Sequence, residues 1–256
     1  MSKNNMRKRG QVTVFIIIGV VALIVISLIL FLRNQTGLFV PKQEFLKGVS
    51  ENIKDSISEC IDTYAKDGLN LMYDQGGKIN PTDYKLYQSK KVSYLCTNIP
   101  KDKRCLNLLQ PLSSWEKELD DYLKLNLDQC INLDAFKSSL GAYDIKYEGY
   151  DINTQILEEE VLVEVKPKIT ITKDGKNLNV DSTFRNYQYP LGKVHSIVFD
   201  AVNAYAVSGD FYNLAYTLSM KGSYEIFIDD KPYPDIIYYV QKKDDDKKFY
   251  FAIEGE

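Results

Sequence analysis

From Val12 to Leu32 the chain carries no charged side chain, and the hydroxyls of Thr13 and Ser27 are its only polar side-chain groups. As a helix, this run is about 30 Å long, the thickness of a bilayer core. Both hydroxyls can bond back to helical carbonyls. A helix that is apolar on every side has no face to show water. The run therefore predicts a segment that spans a membrane or is buried among others like it. Lys3, Arg7, Lys8 and Arg9 precede it, while Arg33, Lys42 and Lys47 follow more sparsely. That bias puts the N-terminus in the cytoplasm and residues from Asn34 onward outside. A secretory signal would be shorter, roughly 7–15 apolar residues ending in small ones. This run ends Leu30-Phe31-Leu32-Arg33, so ordinary signal-peptidase cleavage is not expected.

The segment Arg7-Lys8-Arg9-Gly10-Gln11-Val12-Thr13 resembles the class III signal of archaeal type IV pilins and archaellins. The resemblance is confined to the N-terminal segment. It implies that a prepilin peptidase cuts between Gly10 and Gln11, leaving the apolar helix on the mature chain to pack with its copies in a filament core. Many pilins carry a glutamate where this chain has Phe15, so the new amino group at Gln11 lacks that acidic partner. The alternative is an uncleaved single-pass anchor carrying an extracytoplasmic binding or adhesion domain.

The chain's formal charge is −3, and it becomes more acidic still without the four N-terminal cations. A nucleic-acid partner is not expected, because phosphate binding needs a basic surface. The expected partners are membrane lipid, further copies through the N-terminal helix, and other envelope or cell-surface proteins. Cys60, Cys96, Cys105 and Cys130 are even in number, and outside the membrane they predict two disulfides with three possible connectivities. Zinc is not expected, since no C-x₂-C pair exists and the single histidine, His195, is distant. Cys96 and Cys105 flank a polar loop. Cys60 and Cys130 share similar settings, each on a predicted amphipathic helix. The expected pairs are therefore Cys60–Cys130 and Cys96–Cys105.

Beyond the apolar run, Leu46, Val49, Ile53, Ile57, Ile61, Tyr64 and Met72 recur at helical spacing until Gln75-Gly76-Gly77. The stem is thus expected to continue into a long amphipathic helix. Residues 78–111 read as an irregular loop. Ser113 or Ser114 is the expected cap of a helix bearing Leu119, Leu123, Leu127 and Cys130. From Tyr143 the period shortens. Val161–Val165 and Ile169–Thr172 read as strands, and Asp174-Gly175 predicts a hairpin turn into Leu178–Val180. Residues 190–208 return to helical spacing; Tyr224–Ile228, Ile236–Val240 and Phe249–Ile253 read as strands. The expected organisation is a basic leader at 1–10, an apolar helix at 11–33, a disulfide-stapled helical region at 34–141, and an antiparallel β-rich head with one helix at 142–256. The fold class is α+β.

For chemistry the sequence offers little, and no enzyme or cofactor is expected. A lone His195 lacks a partner base, and nothing like G-x-S-x-G marks a nucleophile. Ser114-Trp115-Glu116-Lys117 matches S-x-x-K without its companion motifs. Asp244-Asp245-Asp246 lacks Ca²⁺-loop spacing and reads as a solvated turn; Glu158-Glu159-Glu160 reads as a strand lead-in. Asn34-Gln35-Thr36 is a glycosylation sequon beside the apolar run. Nineteen tyrosines against eleven phenylalanines and one tryptophan are the one unusual abundance. Tyr187, Tyr189, Tyr238 and Tyr239 are expected on strands or their edges, where such rings suit half-buried surfaces and interfaces.

Overall fold

A computed structural model describes residues 17–27, 42–131, 143–220 and 222–255. The chain divides into two units, residues 1–49 and 50–256. In the first, residues 17–27 form a helix, α1. The rest of the apolar run lies outside the described residues, as does the stretch expected to join it to the next helix. Among the described residues no helix is long and apolar enough to cross a membrane.

The amphipathic pattern forms α2, Lys42–Asp74. Its buried side chains include Ile53, Ile57, Ile61, Leu69 and Met72, the apolar stripe that the spacing indicates. The helix stops where Gly76 and Gly77 take positive φ and the Gly77 N–H returns to the Met72 carbonyl at 2.8 Å. Helix α3, Leu112–Cys130, runs antiparallel to it. Gly77 sits against Trp115, Gly68 against Leu119 and Tyr122, and Cys60 bonds Cys130, so α3 descends as α2 ascends. The start of α3 differs from expectation: Pro111 occupies the N-cap with no side-chain cap, and Ser114 lies inside the first turn. Proline fixes φ and loses no hydrogen bond there.

The segment expected as a loop is instead β1 (Tyr84–Tyr87), β2 (Lys90–Ile99) and β3 (Asp102–Asn107). The region 34–141 is therefore not purely helical. These strands belong to the same sheet as β8 (Tyr224–Asp230), β9 (Ile236–Lys242) and β10 (Lys248–Ile253), in the order β1-β2-β10-β9-β8 with β3 also on β2. The β2–β10 pair is parallel and the others are antiparallel, so the expected all-antiparallel sheet becomes a mixed one. A second, antiparallel sheet holds β4 (Asp144–Ile156), β5 (Val161–Lys173), β6 (Lys176–Asn179) and β7 (Thr183–Tyr187). Strand β4 lines one edge of β5, and β6 and β7 share the other. Asp174 and Gly175 both take positive φ at the β5–β6 turn, the geometry a two-residue hairpin requires.

Two helices, not one, follow. Helix α4, Leu191–Ser208, lies on β2, β3 and β9 through Val194, Ile197, Val198, Ala201 and Tyr205. Its first amide groups, which have no partners inside the helix, donate to the β4–β5 connection: Gly192 to the Leu157 carbonyl and Lys193 to that of Glu158. Helix α5, Asn213–Ser219, buries none of its side chains and sits beside edge strand β8. There the Asn213 amide and the Thr217 hydroxyl donate to the Ile226 carbonyl, and Thr217 Oγ1 accepts from the Ile226 N–H. Those side chains satisfy an edge that could otherwise pair with another chain.

Candidate functional site

The part of the chain least suited to water is α1. Ile17, Ile18, Val20, Val21, Leu23, Ile24, Val25 and Ile26 are all exposed, from 49% to 69%, around the full helix. Seven of these eight are β-branched and gain little from helix formation itself. Covering each such side chain contributes roughly 1.5–3 kcal/mol, so a surround for the half-exposed set is worth on the order of 10 kcal/mol. Water does not supply such a surround; an apolar medium or other apolar helices would. Gly10, Gln11, Phe15 and the sequon Asn34-Gln35-Thr36 lie outside the described residues.

The second unit is stapled. Its four cysteines form two disulfides, Cys60–Cys130 between α2 and α3, and Cys96–Cys105 between β2 and β3, with Cα separations of 6.0 and 5.5 Å. Both separations lie in the normal range for such bridges.

The other motifs resolve into packing. His195 on α4 places Nε2 2.8 Å from the Gln110 carbonyl and its ring edge-on to Trp115 at 4.9 Å. Trp115 also stacks on Phe249 of β10 at 5.6 Å, so this one ring joins α3, α4 and the mixed sheet. Within Ser114-Trp115-Glu116-Lys117 the Glu116 carboxylate also reaches across the fold and accepts the Ile156 N–H at 2.8 Å. Close by on the same helix, Glu118 accepts from Ile79 N–H and Asn80 N–H. Asp244 takes positive φ in the β9–β10 turn, and Glu159 accepts from Tyr224 and pairs with Lys242. Among the described residues no group of three or more His, Cys, Asp and Glu side chains is placed to hold a metal.

The sequence reading places the tyrosines on half-buried strand surfaces and interfaces, and names no partners for their hydroxyls. Their hydroxyls donate to carboxylates elsewhere in the chain: Tyr87 to Asp229 at 2.8 Å, Tyr94 to Asp235 at 2.9 Å, Tyr187 to Asp62 at 2.9 Å and Tyr216 to Asp200 at 2.5 Å. Each is a charge-assisted bond that pins one element to another. Burial and then the Asp229 bond push the Tyr87 hydroxyl up to about 12. Asp235 gathers Lys85, Tyr94 and the Gly255 N–H. Burial works against ionisation there, yet these donors hold its carboxyl below the ordinary range. The abundance of tyrosine was the only sequence signal for this network, since its partners cannot be read from spacing.

The fold and its exposed apolar helix define a class: a disulfide-stapled α+β head following a segment that needs an apolar surround. Comparison with known protein families, with curated proteins and with solved structures gives no significant match.

Proposed function

We propose that this chain is a pilin-like structural subunit of an extracellular filament, assembled through its N-terminal hydrophobic helix. The observation that carries the reading is α1, apolar and exposed on every side, inside a charge-free run that follows Arg9-Gly10-Gln11. Sister helices packed side by side would remove that surface from water. The two disulfides suit an oxidising extracellular compartment. Lipid would hold the helix before assembly, and the head would form the outer shell.

Mass spectrometry of the native protein's N-terminal peptide tests this. A mature chain beginning at Gln11, together with fibres in electron micrographs of the cell surface, is the expected result. A native chain that keeps Met1–Gly10 would end the filament reading and leave a membrane-anchored binding or adhesion protein.

A further inference from the structure

Residues Val161–Val165 of β5 pair with β4 on one side and β7 on the other, so this part of the second sheet offers no open edge at its centre. The register lays two rows of side chains across the three strands: Asn153, Glu164 and Phe184 in one, Gln155, Leu162 and Asn186 in the next. Thr154 and Val163, which lie between the rows, are buried, so strand alternation turns these six side chains to the opposite face. There they line an open hollow of about 220 Å³. Leu162 is half-buried, and the Phe184 ring is 66% exposed. Three amides and one carboxylate surround that apolar pair. Asn186 is held in place by its own amide, which donates to Glu160 at 2.6 Å, while Asn153 and Gln155 are exposed. Among the described residues no lysine lines the hollow. Arg185 borders it, but its guanidinium turns to Asp62 at 3.2 Å and to the Phe184 carbonyl at 3.0 Å.

From this arrangement we infer a binding site for one neutral sugar residue of a glycan chain. A pyranose carries C–H groups on its faces and hydroxyls around its rim, and each hydroxyl both donates and accepts. The hollow is the complement of such a ring. Phe184 and Leu162 take a C–H face, the three amides donate to and accept from hydroxyls, and Glu164 accepts from them. Other occupants fit less well. An anion would meet Glu164 with no free cation to hold it. A cation would find one carboxylate and one ring, short of the oxygens a metal needs or the cage an ammonium needs. An added strand would find no edge, and a wholly apolar group would leave the amides without partners. The hollow lies open on the sheet face, so the sugar can belong to a longer chain. The inference is independent of the filament reading.

The test is saturation-transfer NMR on the full chain in a zwitterionic detergent that carries no sugar, with cellotriose, mannotriose and chitotriose as probes. Saturable binding of at least one is expected, with a Kd in the millimolar range, because a shallow site grips a single ring. Phe184→Ala and Asn153→Ala/Gln155→Ala should each weaken it about tenfold. All three side chains are exposed, so the melting temperature should hold in both variants. Phe199→Ala removes an exposed ring from α4 and should leave binding unchanged. Cyclohexanol, an apolar ring with one hydroxyl, should not compete. Binding of none of the three sugars, binding that survives either site variant, or competition by cyclohexanol would overturn the site. None of these readouts depends on whether the native chain begins at Met1 or at Gln11.

Discussion

A β-carbon added to Gly77 would lie 2.2 Å from two ring carbons of Trp115, at a backbone φ of +83°. Neither the ring, which is wedged among His195 and Phe249, nor the left-handed backbone can yield easily. Gly77→Ala should therefore cost about 3 kcal/mol or more in urea unfolding. Gly149→Ala is the control: φ is +100° but the space is open, so only the backbone penalty of about 1 kcal/mol applies. Equal losses would show that the Trp115 contact is unimportant. Asp120 on α3 makes a second case, with opposite sign. Its Oδ1 lacks a partner, and burial, then the charges of Asp121 and Glu116, raise its carboxyl pKa against the opposing effect of Thr154. A raised folded pKa means the fold prefers the protonated acid. Stability from this group is thus present at low pH and lost as pH rises above the unfolded value of about 4. Asp120→Asn should raise the melting temperature at pH 7 and change it little at pH 3. A destabilisation of equal size at both pH values would refute that assignment. The sequence marked Gly77 as a helix stop, but Asp120 was one acid among many on a polar face, because burial depends on β4 packing against it.

Elements that depend on local periodicity could be read before the structure; elements that depend on distant partners could not. The stripe through Ile53, Ile57 and Ile61 is self-contained, as is the α4 stripe through Val194, Ile197 and Val198, and both are buried where the spacing put them. Asp174-Gly175 likewise carries its turn in its own backbone preferences. Strands β1 to β3 read as loop because β2 gains its place from β10, more than a hundred residues away. Helix α5 went unread because it buries nothing and serves to satisfy the β8 edge. The disulfide between α2 and α3 was suggested by two similar local settings, and it closes a loop of 70 residues. A bridge of that span constrains the unfolded chain by about 4 kcal/mol. Cys60→Ser/Cys130→Ser should lose about that much in urea unfolding, with unchanged far-UV dichroism. The pair Cys96→Ser/Cys105→Ser, which closes a loop of only 9 residues, should lose less. Reversal of that order would mean that strain or residual unfolded structure outweighs loop entropy.

At the level of the whole molecule, the two units make incompatible demands on solvent. The second places Leu95, Trp115, Leu119, Ile237 and Phe251 inside and, Asp235 apart, buries no charged side chain among the described residues, an arrangement built for water. The first carries α1, whose apolar side chains face outward in every direction. That contrast was legible from residue order alone, because a charge-free run needs no tertiary partner to be recognised. What covers the run was not legible, since lipid and sister helices offer it the same apolar surround. The contrast itself yields a prediction. A chain beginning at Asn34 keeps all of α2 and both disulfides, so it should stay dispersed and monomeric in size-exclusion chromatography without detergent. The full chain should elute as large assemblies, or remain with membranes until detergent is added, while showing the same thermal transition for its head. If the full chain instead runs as a detergent-free monomer, the apolar helix is covered by the protein's own head, and both the filament and the anchor lose their physical basis.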